Sequence, residues 1–296
     1  MKRLIIIIGV FVFTVSAFCQ TDKEIDNIVQ LINSEEYKYQ DSIIWIELRP
    51  LKAKSDSLEK LGKKAFKSGD KNKAQDLMTQ YIKCTKEKLD VLSNHPDFVY
   101  SADYLLLLAM REKDEKRREP KIGSLSDYKN VYDSFSKDVK ASYFGKGLKM
   151  LFDSDIPKIG EIAPNMTFYT DKGKEVTLSD YKGRCVLLKS YFNECGGWSI
   201  DKSKINEIYP KLDTSKIVVI AIGIGNDKKN WVDDVNKNNF PWISVFQPIG
   251  GEMTITYNIK SNSRSVLIDP DGKIVDMDID IQNGGLLTGI EKHLNK

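Results

Sequence analysis

Histidine is almost missing from this chain: His95 and His293 are the only two, far apart, which excludes a His/Cys zinc cluster. Cysteine is scarce as well. The four are Cys19, Cys84, Cys185 and Cys195, and no two stand close enough for a Cys-x-x-Cys redox pair. An excess of one charge is also absent. The 45 basic and 42 acidic residues leave +3, which gives no argument for nucleic acid or an anionic membrane as partner. Long apolar runs are limited to Leu4–Val15, too short to cross a bilayer comfortably.

What is present first is a targeting signature. Lys2 and Arg3 precede the apolar run, and Ala17-Phe18-Cys19 has small residues at its first and third places. Residues 1–19 therefore read as a signal peptide cleaved before Gln20, with lipid attachment at Cys19 as the rival reading. Either way the mature protein is expected outside the cytoplasm, periplasmic or envelope-associated, without a transmembrane span after cleavage. If Cys19 leaves, three cysteines remain, an odd number in a compartment where disulfides persist.

The period of the apolar residues divides the remainder. Residues 20–155 read as a helical domain. Thr21 or Asp22 caps a helix carrying Ile25, Ile28, Val29 and Ile32. Leu58–Phe66 and Ala74–Leu89 form two amphipathic helices around Ser68-Gly69-Asp70, a single hairpin of tetratricopeptide type with no second copy. Asn94–Asp97 is a turn with His95 solvated. Arg111–Glu119 is a charge run read as a solvated helix end or loop, Ser126 or Asp127 caps a further helix, and Val139–Phe152 is the last. From 156 to 296 short strand-like runs alternate with helical patterns, as in an α/β domain. The strands fall at Phe168–Thr170, Glu175–Leu178, Cys185–Tyr191, Ile217–Ile222, Trp242–Phe246, Ser265–Ile268 and Lys273–Met277, with a closing helix at Leu286–Leu294.

The order of these elements and the residues at their junctions carry a resemblance. Gly160-x-x-Ala163-Pro164, Leu178-Ser179-Asp180-Tyr181-Lys182-Gly183, Val186-Leu187-Leu188 and Leu267-Ile268-Asp269-Pro270-Asp271-Gly272 occur in sequence. The region 157–296 resembles the thioredoxin-fold domain of TlpA/ResA-type thiol–disulfide oxidoreductases of the bacterial envelope, close in fold to the peroxiredoxins. The resemblance implies a central mixed sheet flanked by helices, preceded here by the all-α region. It places Cys195 on the family's nucleophilic cysteine, Gly196 and Gly197 on the intervening positions, and Trp198 on the resolving cysteine. It also places Ser263 on the family's cis-proline.

Dithiol exchange needs one sulfur to attack and another to resolve the mixed disulfide. Cys195 alone can begin that reaction. Cys185, ten residues upstream inside a strand, is expected to be buried and inert, and Cys84 to be a packing residue on its helix. The helix N-terminus favours a thiolate at Cys195 while Glu194 opposes it, and Trp198 is expected to pack over the site. Three readings follow: a redox-degenerate protein acting by partner or ligand binding, a monothiol oxidoreductase forming mixed disulfides with an external reductant, or a helical adaptor with the thioredoxin unit as scaffold. The expected partner is an envelope protein or a thiol or disulfide substrate, with no cofactor, metal or nucleic acid. Because the Cys-x-x-Cys motif is incomplete, the family label alone does not make the chain an enzyme. Gly223-Ile224-Gly225 reads as a tight strand-to-helix turn, and Asp276, Asp278 and Asp280 as a solvated strand face.

Overall fold

The structure, a computed structural model, describes residues 21–113, 124–192, 196–259, 264–279, 281, 285 and 288. Among the described residues seven helices precede the first strand: α1 (Asp22–Asn33), α2 (Glu35–Lys67), α3 (Lys71–Asn94), α4 (Val99–Glu112), α5 (Leu125–Ser134), α6 (Lys137–Ala141) and α7 (Tyr143–Asp153). Thr21 caps α1 in a reciprocal box with Glu24. Asp70 caps α3 by accepting the Lys73 N–H at 3.1 Å. Leu48, Leu92, Ala102, Leu105, Phe144 and Leu148 lie at the centre of the main helical core.

Several boundaries differ from the sequence reading for local reasons. Ser124, not Ser126 or Asp127, caps α5, and the Asp127 carboxylate accepts its N–H at 3.0 Å. The expected single helix at 139–152 is two, because Ser142 leaves helical geometry and caps α7 by accepting the Gly145 N–H. His95 is half-buried rather than freely solvated: its Nε2 lies 2.7 Å from Glu47 Oε1 and its ring stacks on Phe98. The described start of the charge run is only partly solvated: Arg111 is exposed, but its neighbours are not. Glu112 is buried, and Lys113 Nζ donates to the Leu151 carbonyl at 2.5 Å and to that of Ser154, closing the end of α7. The closing helix expected at Leu286–Leu294 lies outside the described residues, apart from Thr288.

The second half is an α/β unit. β1 (Thr167–Tyr169) and β2 (Glu175–Thr177) form a hairpin. β3 (Cys185–Phe192), β4 (Ile217–Ile224), β5 (Ile243–Gln247), β6 (Ser265–Ile268) and β7 (Ile274–Asp276) form one sheet ordered β5-β4-β3-β6-β7. β3, β4 and β5 are parallel, and β6 and β7 are antiparallel. The central strands β3 and β4 are covered on both faces, which is why they read as nearly unbroken apolar runs. α8 (Gly196–Ile208) and α9 (Lys228–Asn238) connect the parallel strands, and the short α10 (Glu252–Thr256) lies between β5 and β6.

Alternation along β3 sorts its side chains. Cys185, Leu187 and Tyr191 share one core with Trp198, Ile205 and Trp231, while Val186 and Leu188 face another with Met253 and Tyr257. Gly223 belongs to β4 rather than to the turn expected there, and a side chain on it would collide with the Trp231 indole. The helical half is packed against the α/β half at two places. Ile25 of α1 joins the core beneath α8 and α9, and Lys228 Nζ lies 2.7 Å from both Asp22 and Asp26. On the other side Ile255 of α10 enters the main helical core beside Gly147.

Candidate redox site at the β3–α8 junction

Gly196 and Gly197 open α8 directly beyond the end of β3. That junction is where the sequence places the reactive sulfur, but Cys195 and Ser263 lie outside the described residues. Trp198, which the resemblance places on the resolving cysteine, is described fully. It is 3% exposed and turned into the core. Its indole stacks on the Tyr191 ring with centroids 3.7 Å apart and planes at 10°, and it meets the Phe240 ring edge-on at 6.3 Å. The Tyr191 hydroxyl accepts a 2.9 Å hydrogen bond from Trp231 Nε1, so the stack is tied to α9.

The remaining described cysteines are far from reactive. Cys185 and Cys84 are both 0% exposed. Burial, with the Asp269 carboxylate adding to it, pushes the Cys185 thiol up to about 11. Burial also raises the Cys84 thiol, against the opposing influence of Lys88, and its Sγ lies 3.1 Å from the Leu51 carbonyl in a packing position. Both placements agree with the sequence reading.

One feature of the junction is marked by no motif. Lys189 Nζ, on β3, lies 2.7 Å from Asp201 Oδ2 on α8 and donates to Ser265 Oγ at 3.2 Å on β6. Both charged side chains are almost entirely enclosed. The signal was available: a lysine inside Cys-Val-Leu-Leu-Lys-Ser-Tyr-Phe, a strand otherwise fit for full burial, requires a partner. The next residue, Ser190, holds the start of β6 from the opposite face. Its N–H donates to the Arg264 carbonyl and its Oγ accepts the Arg264 N–H, both at 2.9 Å. The Arg264 guanidinium donates to the Tyr257 carbonyl at 2.5 Å and lies 3.4 Å from Asp278. Asp278 is thus paired rather than merely solvated.

A parallel β-α-β core extended by an antiparallel pair, with a strand-to-helix junction as its candidate site, defines a thioredoxin-like domain preceded by a helical region. Residues 159–277 match the AhpC/TSA family. The chain is 32% identical over 136 residues to the thiol-disulfide oxidoreductase ResA of Bacillus cereus (strain ATCC 10987 / NRS 248), covering 45% of this chain and 72% of that protein. It is 30% identical over 145 residues to ResA of Bacillus anthracis, covering 48% of this chain and 82% of that one. The chain belongs to the TlpA/ResA-like redoxin family. Among solved structures, a thiol:disulfide interchange protein from a Bacteroides species is 22% identical, with a TM-score of 0.42, covering 47% of this chain and 92% of that one.

Proposed function

We propose that this is an extracytoplasmic member of its family that binds a protein partner through its thioredoxin-like half without dithiol turnover. The observation that carries the reading is Trp198. Where the family keeps its resolving sulfur, this chain has an indole 3% exposed and stacked on Tyr191. A side chain so enclosed is core, and it leaves Cys195 without an internal thiol for the second half of the exchange. Cys84 and Cys185 offer no replacement, being enclosed and held in the thiol form. The leader at residues 1–19, the helical domain at 20–155 and the thioredoxin-like domain at 156–296 are part of the same proposal, with Cys19 as the alternative lipid attachment point. Among the described residues no helix is long and apolar enough to cross a membrane.

A second reading has its own support. Cys195 is bonded directly to Gly196, the first residue of a 13-residue helix, and the positive end of a helix favours a thiolate. A monothiol reaction would need an external thiol to release the mixed disulfide. Insulin reduction in the presence of dithiothreitol separates the two. The proposal expects no rate above the reductant background, whereas a rate abolished by Cys195→Ser would establish the monothiol reading.

A further inference from the structure

The near balance of charge over the whole chain conceals a local imbalance. α2 and α3 lie side by side, but the main helical core takes α2 only as far as Leu48 and α3 only from Leu89 onward. Beyond that, Leu58, Ala65, Leu77 and Cys84 form a small separate core to which, among the described residues, only these two helices contribute. The outer half of the pair is therefore an arm, about 25 Å long from Leu51 to the end of α2 at 1.5 Å per residue.

At the tip of the arm, Lys60, Lys63, Lys64, Lys67, Lys71 and Lys73 are all exposed. The one acid between Lys60 and Lys73 is Asp70, occupied as the α3 cap, so this stretch carries +5. The whole chain carries +3, so everything else sums to −2. The nearest further acid, Glu59, is paired with Lys63, and with it the stretch from Glu59 to Lys73 carries +4. Among these lysines Phe66 is 81% exposed, and Leu61 is 44% exposed.

We propose that the tip of the α2–α3 arm docks on an anionic lipid surface, the lysines over the headgroups and Phe66 inserted at the interface. The chemistry is complementary. Lysines gain from the negative surface potential of anionic lipid, while an aromatic ring beside them gains from leaving water at headgroup level. The shape favours lipid over an acidic protein. A stable protein interface covers about 800 Å² on each partner, whereas two helix ends and a turn form a convex knob with long, mobile side chains. A fluid planar surface accepts such a knob without a matching groove.

Vesicle sedimentation tests this, using phosphatidylcholine alone and with about one third phosphatidylglycerol. The full chain is compared with the chain beginning at Gln20, since Leu4–Val15 partitions into either bilayer. Expected is binding that depends on the anionic lipid and weakens at least about tenfold as salt rises from about 0.1 to 0.5 M. Lys63→Glu, Lys64→Glu and Lys67→Glu together should abolish it, and Phe66→Ser should weaken it several-fold. Reversing the exposed Lys172, Lys174 and Lys182 should leave it intact. Circular dichroism confirms that each variant remains folded. The proposal is overturned by absence of anion-dependent binding, or by binding that the tip variants do not change. It is overturned too by equally tight binding to soluble polyglutamate that ignores Phe66→Ser, which would assign the tip to an acidic protein.

Discussion

Lys189 Nζ and Asp201 Oδ2 stand 2.7 Å apart between the central strand and the helix that carries the candidate site, almost entirely enclosed. Such a pair need not stabilise the fold relative to a well-packed apolar pair, but breaking it strands a charge. Lys189→Met or Asp201→Leu alone should cost about 3–5 kcal/mol, and the double variant should recover most of that loss. Urea unfolding of the four proteins measures this. A single variant that loses less than about 1 kcal/mol would show that water reaches the pair.

Trp198 should behave as a core residue. Trp198→Ala is expected to cost about 3–5 kcal/mol by opening a large cavity against Tyr191 and Phe240. Trp198→Phe should cost less, because a smaller ring still stacks on Tyr191. Trp198→Cys gives the chain a Cys-x-x-Cys spacing from Cys195, yet it should lose nearly as much as the alanine variant. Denaturant midpoints order the three, and a Trp198→Ala protein as stable as the parent would place the indole outside the core.

Thiol accessibility gives a third expectation. Cys84 and Cys185 are enclosed, and burial holds both in the unreactive protonated form. At pH about 8 neither should be alkylated in the native protein, and both should label at once in denaturant. Peptide mapping after a timed pulse of iodoacetamide identifies the sites. Native labelling of either cysteine at the rate of a free thiol would return it as a candidate resolving group.

Much of this architecture is legible in the sequence because it is written in periods. The apolar spacing of Ile25 and Ile28 and the continuous runs of β3 and β4 report burial directly, since one exposed or two covered faces leave different patterns. The hairpin around Ser68-Gly69-Asp70 is legible for the same reason. Long-range pairings are not. Nothing near His95 announces Glu47, 48 residues earlier, and nothing near Lys113 announces the carbonyls at the end of α7. Lys189 is the intermediate case: its place in a buried run shows that it needs a partner, while the choice of Asp201 depends on how α8 crosses the sheet. Trp198 shows the limit of motif alignment. The resemblance places it on a cysteine position, but only the fold turns the ring inward onto Tyr191.

The helical half should carry a pH dependence of its own, centred on Asp103. This carboxyl accepts a hydrogen bond from the Tyr37 hydroxyl, and the Tyr100 hydroxyl bonds to the neighbouring Asp41. Burial, reinforced by the Asp41 charge and opposed by the Tyr37 bond, raises Asp103 from 3.8 to about 6. The folded state therefore retains a proton that the unfolded chain has released. Its contribution to stability is fully present below about pH 4 and is lost as the pH rises through about 6. Urea midpoints at several pH values between about 4 and 7 should show this fall, and Asp103→Asn should flatten it. The asparagine keeps the volume and still accepts from Tyr37 but cannot ionise, so the difference between the two curves isolates one group. A parent curve that rises over this interval relative to the Asp103→Asn curve would mean that the folded state favours the ionised carboxylate, with the Tyr37 bond outweighing burial.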